Sequence, residues 1–262
     1  MTRRVLLLGG LDPSGGAGIT LDAMVAVLHF AEPLPVAVAL TVQGMRGFVR
    51  SEPVPTALVK DQVRALLDDG PVDVVKLGFV GDADALARLV EVLALLDPRV
   101  PLVVDPVLSA TAGGLAEPEG LARAYVEHVV PRARVVTPNV PELAALAEGD
   151  AAALLRAGAG AVLVKGGHRS DAAAGAEVVD ELFEPDGSRR RFTHARLDVG
   201  PVRGTGCAHA TAIACRLGND VADACQSAGM FVRALLERLG AYHVGLPRRL
   251  PLVPRWIHDY VT

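Results

Sequence analysis

Six short apolar runs alternate with stretches of helical spacing, and that alternation restricts the possible folds more than any other feature of the chain. The runs are VLLLGG (5–10), PVAVALTV (35–42), DVVKLGFV (73–80), PLVVDPV (101–107), ARVVTPN (133–139) and AVLVKGG (161–167). Several are apolar nearly throughout, as expected of strands covered on both faces. Between them lie ITLDAMVAVLHF, TALVKDQVRALLDD, ADALARLVEVLALL, AEPEGLARAYVEHVV, VPELAALAE and DAAALLRAG, which have helical spacing and good helix formers. The expectation is an α/β fold, a mostly parallel sheet with helices on both faces. Residues 177–197 break the rhythm and read as an antiparallel hairpin turning at Asp186-Gly187. A helical tail follows, GCAHATAIACRLG and then VADACQSAGMFVRALLERLG. No linker or repeat interrupts residues 1–262, which read as one domain.

Bulk properties remove several function classes. With 51% hydrophobic and 21% charged residues, the chain has material for a sizeable core and is not of disordered composition. A net charge of −4 gives no electrostatic reason to expect a nucleic-acid partner. The densest basic run, SRRR (188–191), follows PDG and reads as the solvated end of the hairpin. Three cysteines, Cys207, Cys215 and Cys225, fit a reducing compartment better than a disulfide framework. The first apolar run reads as a buried strand rather than a signal peptide, and no stretch is long and apolar enough to span a bilayer. A cytoplasmic chain without a membrane partner is expected.

Ligands of an open parallel sheet bind beyond the carboxyl ends of its strands. The residues there are Gly10 and Asp12, Gln43, Gly78 and Phe79, Asp105, Asn139 and Glu142, and residues 165–168 beginning with Lys165. Each alone has a plain explanation: Asp105 and Asn139 suit turns, and Lys165 suits a solvated strand end. Their joint placement on one rim favours a site. The glycine-rich stretch LDPSGGAGITLD (11–22) is not a nucleotide cradle, because it lacks a Lys-Ser/Thr pair and the spacing of Gly15, Gly16 and Gly18 does not suit a dinucleotide. VRGTGCAHATAIACRLG is the better candidate. Gly204 and Gly206 allow a tight turn. The N–H groups of that turn, with those of Cys207 and Ala208, are expected to converge on an anion at a helix N-terminus. The same placement is expected to lower the Cys207 thiol pKa. Cys215 and Cys225 read as packing residues, and His209 as structural, pointing away.

With these motifs in this order, the sequence resembles the ribokinase-like superfamily, and within it the hydroxymethylpyrimidine/phosphomethylpyrimidine kinases of thiamine biosynthesis. The resemblance runs through GGLDPSGGAGI (9–19), TVQGMRG (41–47), VKLGFVGD (75–82), VVDPVLSATAGG (103–114), VVTPNVPE (135–142), VLVKGGH (162–168) and GTGC (204–207). It implies a three-layer α/β/α sandwich, ATP and Mg2+ as cofactors, a small pyrimidine as substrate and a homodimer. It places Gly10, Asp22, Gln43, Phe79 and Val107 at the pyrimidine, Asp105, Asn139, Glu142 and Lys165 at the nucleotide phosphates, and Gly204, Thr205, Gly206 and Cys207 at the transferred group. Asp105 and Glu142 are the implied metal anchors. DPSGGAG would then belong to the acceptor side.

This chain departs from the family pattern near the acceptor. Gly44-Met45 replaces the usual Asn-Thr, Phe79-Val80 the usual Met-Leu, and Arg203 the usual His, while residues 142–160 are shortened and LGAYHVG (239–245) only loosely echoes the usual ending. Two other readings therefore stand beside the main one: a pyridoxal-type kinase, and a pyrimidine-binding sensor with weak chemistry.

Overall fold

The computed structural model describes residues 2–108, 118–168, 177–239 and 248–252. The six apolar runs form β1 (Arg4–Leu11), β2 (Glu32–Gly44), β4 (Val74–Leu77), β5 (Leu102–Val104), β6 (Val135–Val136) and β7 (Val162–Val164). They pair in parallel, in the order β2-β1-β4-β5-β6-β7. The expected hairpin is β8 (Glu177–Phe183) and β9 (Arg189–Ala195), added antiparallel beside β7. Its turn closes where Glu184 N–H donates to the Ser188 carbonyl and Gly187 N–H to the Glu184 carbonyl. Arg189 and Arg191 of SRRR lie exposed and pair with Glu181, as a solvated hairpin end should.

One strand is not announced by the apolar pattern. β3 (Gly47–Pro53) pairs antiparallel with β2 and forms the other edge of the nine-stranded sheet. Its residues are half-buried or exposed, so no alternation marks it, and Arg50, Glu52 and Pro53 give it the charge and proline usual at a sheet edge. A two-stranded ribbon, β10 (Val202–Arg203) with β11 (Arg248–Arg249), lies apart from the main sheet.

The side-chain period of two along β1 builds the layers. Leu6 and Leu8 face a cluster formed with α2 (Thr56–Asp68), α3 (Ala83–Leu93), α4 (Leu121–His128), α5 (Val140–Ala147) and α6 (Ala151–Arg156). Val5 and Leu7 face a second cluster, formed with α1 (Gly18–Leu28), α7 (Thr205–Arg216) and α8 (Val221–Glu237). Val5, Leu6, Leu7 and Leu8 are all 0% exposed. Burial of such side chains contributes about 1.5–3 kcal/mol each. The result is the expected α/β/α sandwich. Cys215 and Cys225 pack in the second cluster, as expected.

Strand order reverses at β1, with β2 on one side and β4 on the other. That reversal splays the connecting loops and leaves a crevice beyond the strand ends. The end of the motif VVDPVLSATAGG (109–114), the start of AEPEGLARAYVEHVV (116–117) and most of LGAYHVG (240–245) lie outside the described residues. Among the described residues no helix is long and apolar enough to cross a membrane.

Candidate active site

The crevice at the strand reversal is a cavity. Gly10, Asp22, Gln43, Phe79, Val107, Asp105, Asn139, Glu142, Lys165, Gly204, Thr205, Gly206 and Cys207 all line it. Every residue that the resemblance places at the site thus meets the others around one space, whereas Asp12 and residues 166–168 of the expected rim do not line it. Lys76, Phe48, Thr41 and Arg203, to which the sequence assigned no ligand, line it too.

Two glycine loops frame the cavity by touching backbone to backbone. Gly18 has φ +62°, and a Cβ there would lie 2.2 Å from the Gly10 carbonyl oxygen. Gly204, the N-cap of α7, has φ +79°, and its Cβ would lie 2.3 Å from the Gly16 carbonyl oxygen. Only glycine fits these approaches. DPSGGAG is therefore the surface on which the GTGC turn rests, not an anion cradle of its own. Its turn is tied by Asp12, whose carboxylate accepts from the Ser14 N–H at 2.8 Å.

The GTGC turn opens α7. The N–H groups of Thr205, Gly206 and Cys207 occupy its first turn, where no helical carbonyl lies one turn back. Ala208, expected among the anion donors, is not one of them: its N–H donates to the Gly204 carbonyl at 2.8 Å. The cradle is one residue shorter than its sequence suggests. A Cβ on Gly206 would lie 3.3 Å from Lys165 Nζ and 3.8 Å from Asp105 Oδ2, so the glycine keeps the space before these charges open.

Below the turn, Lys165 Nζ donates to Asp105 Oδ1 at 2.7 Å. Both side chains are buried, so Lys165 is no solvated strand end. Burial opposes both charges, but Lys165 and Lys76 prevail at Asp105 and hold its carboxyl below the usual range. Burial likewise opposes the Lys165 charge, and Asp105 and Glu142 outweigh it. Asp105 Oδ2 is buried without a partner among the described residues. Asn139 and Glu142 form a capping box at the start of α5: Glu142 N–H donates to Asn139 Oδ1 and Asn139 N–H to Glu142 Oε2, each at 2.8 Å. Asn139 therefore has a structural duty as well as its place in the cavity wall. Burial, opposed by Lys165 and reinforced by Asp105, pushes the Glu142 carboxyl up to about 7.

Cys207 overturns one expectation. Burial pushes its thiol up to about 12, although Lys76 pulls the other way. Cys207 is half-buried in the crevice wall, and desolvation of its thiolate there outweighs the help of Lys76 and the Gly18 backbone. Asp22 also has a duty the sequence did not announce. Its Oδ2 accepts from Lys76 Nζ at 2.7 Å and its Oδ1 from the Thr211 hydroxyl at 2.8 Å, and both charged residues are 0% exposed. Burial pushes the Asp22 carboxyl up, while Asp22 is the chief group keeping Lys76 protonated against its own burial. Asp22 is first a counter-ion, and only its remaining lone pairs are open to a ligand.

The wall at β2 and β3 is aromatic and amide-bearing. The rings of Phe79 and Phe48 meet edge to face, with centroids 6.0 Å apart. Phe79 covers Gly10, where a Cβ would lie 2.8 Å from the ring. Gly44 has open space where a Cβ would be. Arg203 donates to Gln43 Oε1 at 2.7 Å and to the Gly44 carbonyl.

A second cleft adjoins the first. Val178, His194, Val199, His209, Val232 and Leu236 line it, and Lys165, Val202, Thr205 and Gly206 belong to both. His209 was expected to point away from ligands. It is buried but lines this cleft, and its Nε2 has no partner among the described residues. The ring's other nitrogen is held by the Cys225 backbone.

Two clefts joined at an anion cradle suit two ligands exchanging a charged group. The phosphomethylpyrimidine kinase family model matches residues 12–247. The chain belongs to the phosphomethylpyrimidine kinase family. It is 34% identical to the hydroxymethylpyrimidine/phosphomethylpyrimidine kinase of Rhizobium meliloti, over 95% of this kinase and 96% of the relative. It is 36% identical to the thiamine biosynthesis bifunctional protein ThiED of Geobacter sulfurreducens, over 91% of this kinase but only 51% of that longer chain. A solved pyridoxal kinase from Staphylococcus aureus superposes with a TM-score of 0.81 at 23% identity, covering 97% of this kinase and 96% of that chain, which is a likeness of fold. The fold and the family agree with the resemblance read from the sequence.

Proposed function

We propose that this kinase transfers the terminal phosphoryl group of ATP to the hydroxymethyl group of 4-amino-5-hydroxymethyl-2-methylpyrimidine, and then to the monophosphate, giving the diphosphate, within thiamine biosynthesis. The observation that carries this reading is the junction of the two clefts at Lys165, Thr205 and Gly206. A donor in one cleft and an acceptor in the other would meet at the first turn of α7. Phosphoryl transfer has a loose transition state with charge on the phosphoryl oxygens, so positioning and charge stabilisation supply most of the catalysis.

Each group then has a part. The N–H groups of Thr205, Gly206 and Cys207 donate hydrogen bonds to the oxygens of the transferred phosphoryl group, aided by the helix dipole. Lys165, kept charged by Asp105, adds its ammonium at the same point. Magnesium, when bound, would supply charge neutralisation on the phosphates. It takes oxygen ligands, often one or two carboxylates with phosphates and waters. Asp105 Oδ2, which has no partner among the described residues, and the carboxylate form of Glu142 would hold it, although among the described residues no cluster of three His, Cys, Asp or Glu side chains that could hold a metal ion is present. Cys207, protonated at neutral pH, positions the acceptor hydroxyl rather than deprotonating it. Gln43 reads the ring, Phe79 and Val107 wall it, and Asp22 keeps Lys76 charged beside it.

The kinase is read as one domain over residues 1–262, cytoplasmic and homodimeric. Exposed Leu40, Val42 and Val49 on the β2–β3 hairpin, on a sheet edge, support pairing of two copies. The test is ADP formation by the full chain with the hydroxymethylpyrimidine, its monophosphate and pyridoxal as acceptors. Acceptor-dependent ADP with either pyrimidine is the expected result. Tight pyrimidine binding with no ADP would instead favour the sensor.

A further inference from the structure

We propose that Arg203 locks the side-chain amide of Gln43 so that its NH2 faces the acceptor, which makes Gln43 a donor that selects a ring nitrogen lone pair. The inference rests on the acceptor reading above and deepens it.

The lock follows from chemistry rather than from any choice of amide orientation. A guanidinium carries only donors, so the atom of Gln43 facing it must be the oxygen. Arg203 Nη2 lies 2.7 Å from Gln43 Oε1. Its Nη1 donates to the Gly44 carbonyl, so the fork grips the side chain and the next backbone group together. The same guanidinium reaches buried Asp12 at 3.5 Å. Arg203 is itself only 8% exposed, so its fork is held in place by its surroundings.

Gln43 is also fixed from the backbone side. The β2–β3 ladder shifts register between Val42 and Gln43, a bulge of the kind that re-aims a side chain. Val42 is exposed while Gln43 lines the cavity. With Oε1 held by Arg203, the planar amide presents Nε2 on its other side, and nothing among the described residues accepts from that nitrogen. Turning the amide would bring NH2 against the guanidinium. A bound ring must therefore offer an acceptor to Nε2. A ring offering only N–H or C–H at that point leaves the donor unpaired. The chain Ser14–Asp12–Arg203–Gln43 thus couples the DPSGG turn to ring choice, through a residue that touches no reacting atom.

Gln43→Glu separates the possibilities with little change of shape. It keeps an oxygen toward Arg203 and strengthens that pair, but replaces the donor with an oxygen. Calorimetric affinity for 4-amino-5-hydroxymethyl-2-methylpyrimidine should fall at least tenfold, with nucleotide affinity unchanged. Two analogues, each with one ring nitrogen replaced by CH, identify the recognised atom. One of them should bind the wild type at least tenfold more weakly than the parent, yet bind Gln43→Glu as the parent does. Equal parent affinity for wild type and Gln43→Glu, or equal affinity of wild type for all three rings, overturns the proposal. A ligand-independent reading comes from the nitrogen-15 order parameter of the Gln43 side-chain amide. It should be high in the free protein and drop in Arg203→Met, and be largely restored in Arg203→Lys. Equal mobility in wild type and Arg203→Met also overturns the lock. Failure of the wild type to bind the pyrimidine at all would count against the acceptor assignment, while the order parameter still decides the lock.

Discussion

Lys76 Nζ lies 2.7 Å from Asp22 Oδ2, and neither side chain is reached by solvent. An ion pair this deep is unforgiving of single changes. Removing one partner leaves a buried charge uncompensated, which costs about 3–5 kcal/mol, whereas replacing both with apolar groups is often tolerated. Asp22→Ala should therefore unfold at lower denaturant than either the wild type or the double variant Asp22→Ala/Lys76→Met. Urea melts of the three proteins check this. A double variant as weak as Asp22→Ala would show that the pair is not the cause.

Glu142 gives the kinase a pH dependence of predictable sign. Burial raises its carboxyl to about 7 from its ordinary value of 4.5. The folded protein therefore holds a proton that the unfolded chain releases. The contribution is fully present below about 4.5 and is lost as pH rises through about 7. Melts of the protein without nucleotide or magnesium, from pH 5 to 8, should show wild type losing stability relative to Glu142→Gln as pH rises. Parallel curves would remove Glu142 as the source.

Gly206 keeps the cradle open in front of Lys165 and Asp105. Gly206→Val places branched carbon where a Cβ alone already comes to 3.3 Å from Lys165 Nζ. The expected loss in kcat/KM is tenfold or more, about 1.4 kcal/mol or more in transition-state stabilisation, with the fold kept. Steady-state kinetics on a variant shown to be folded by circular dichroism provides the check, and unchanged kinetics would move the phosphate elsewhere.

Cys207 separates positioning from base catalysis. General-base removal typically costs roughly 10²–10⁴ in rate. With the thiol pushed up to about 12, a base at neutral pH is not on offer, so Cys207→Ala should lose less than about a hundredfold. The kcat–pH profiles of wild type and variant should keep the same shape. A larger loss, joined to disappearance of a limb that rises with pH, would restore the base role.

Much of this was legible in the sequence, for physical reasons that differ by element. The parallel strands announce themselves because burial on both faces leaves nearly unbroken apolar runs, and the hairpin because Asp186-Gly187 interrupts the rhythm. β3 was silent, since an edge strand with half-buried residues carries no period. Phe48, which it delivers to the cavity, was missed with it. Lys76 did leave a signal, one ammonium inside the apolar run VVKLG, but its partner Asp22 lies on another element, and only the fold brings the two together. Cys207 sits at the helix N-terminus its sequence indicated, and the error about its thiol came from desolvation in the crevice wall, which spacing does not reveal. Ala208 failed as an anion donor for a simpler reason: the fourth N–H of a helix already meets the N-cap carbonyl. Arg203 was visible only as a departure, and its reach to Gln43 required the β10 strand to lie beside the end of β2.

The acceptor is the central claim, and the departures at Phe79 and Arg203 fall on its wall, with the Gly44 carbonyl held by Arg203 beside it. The most direct measurement is kcat/KM for 4-amino-5-hydroxymethyl-2-methylpyrimidine, its monophosphate and pyridoxal, with saturating ATP and magnesium. The account predicts that one of the pyrimidines is the best acceptor. Pyridoxal exceeding both pyrimidines by more than tenfold, about 1.4 kcal/mol in transition-state binding, would contradict it.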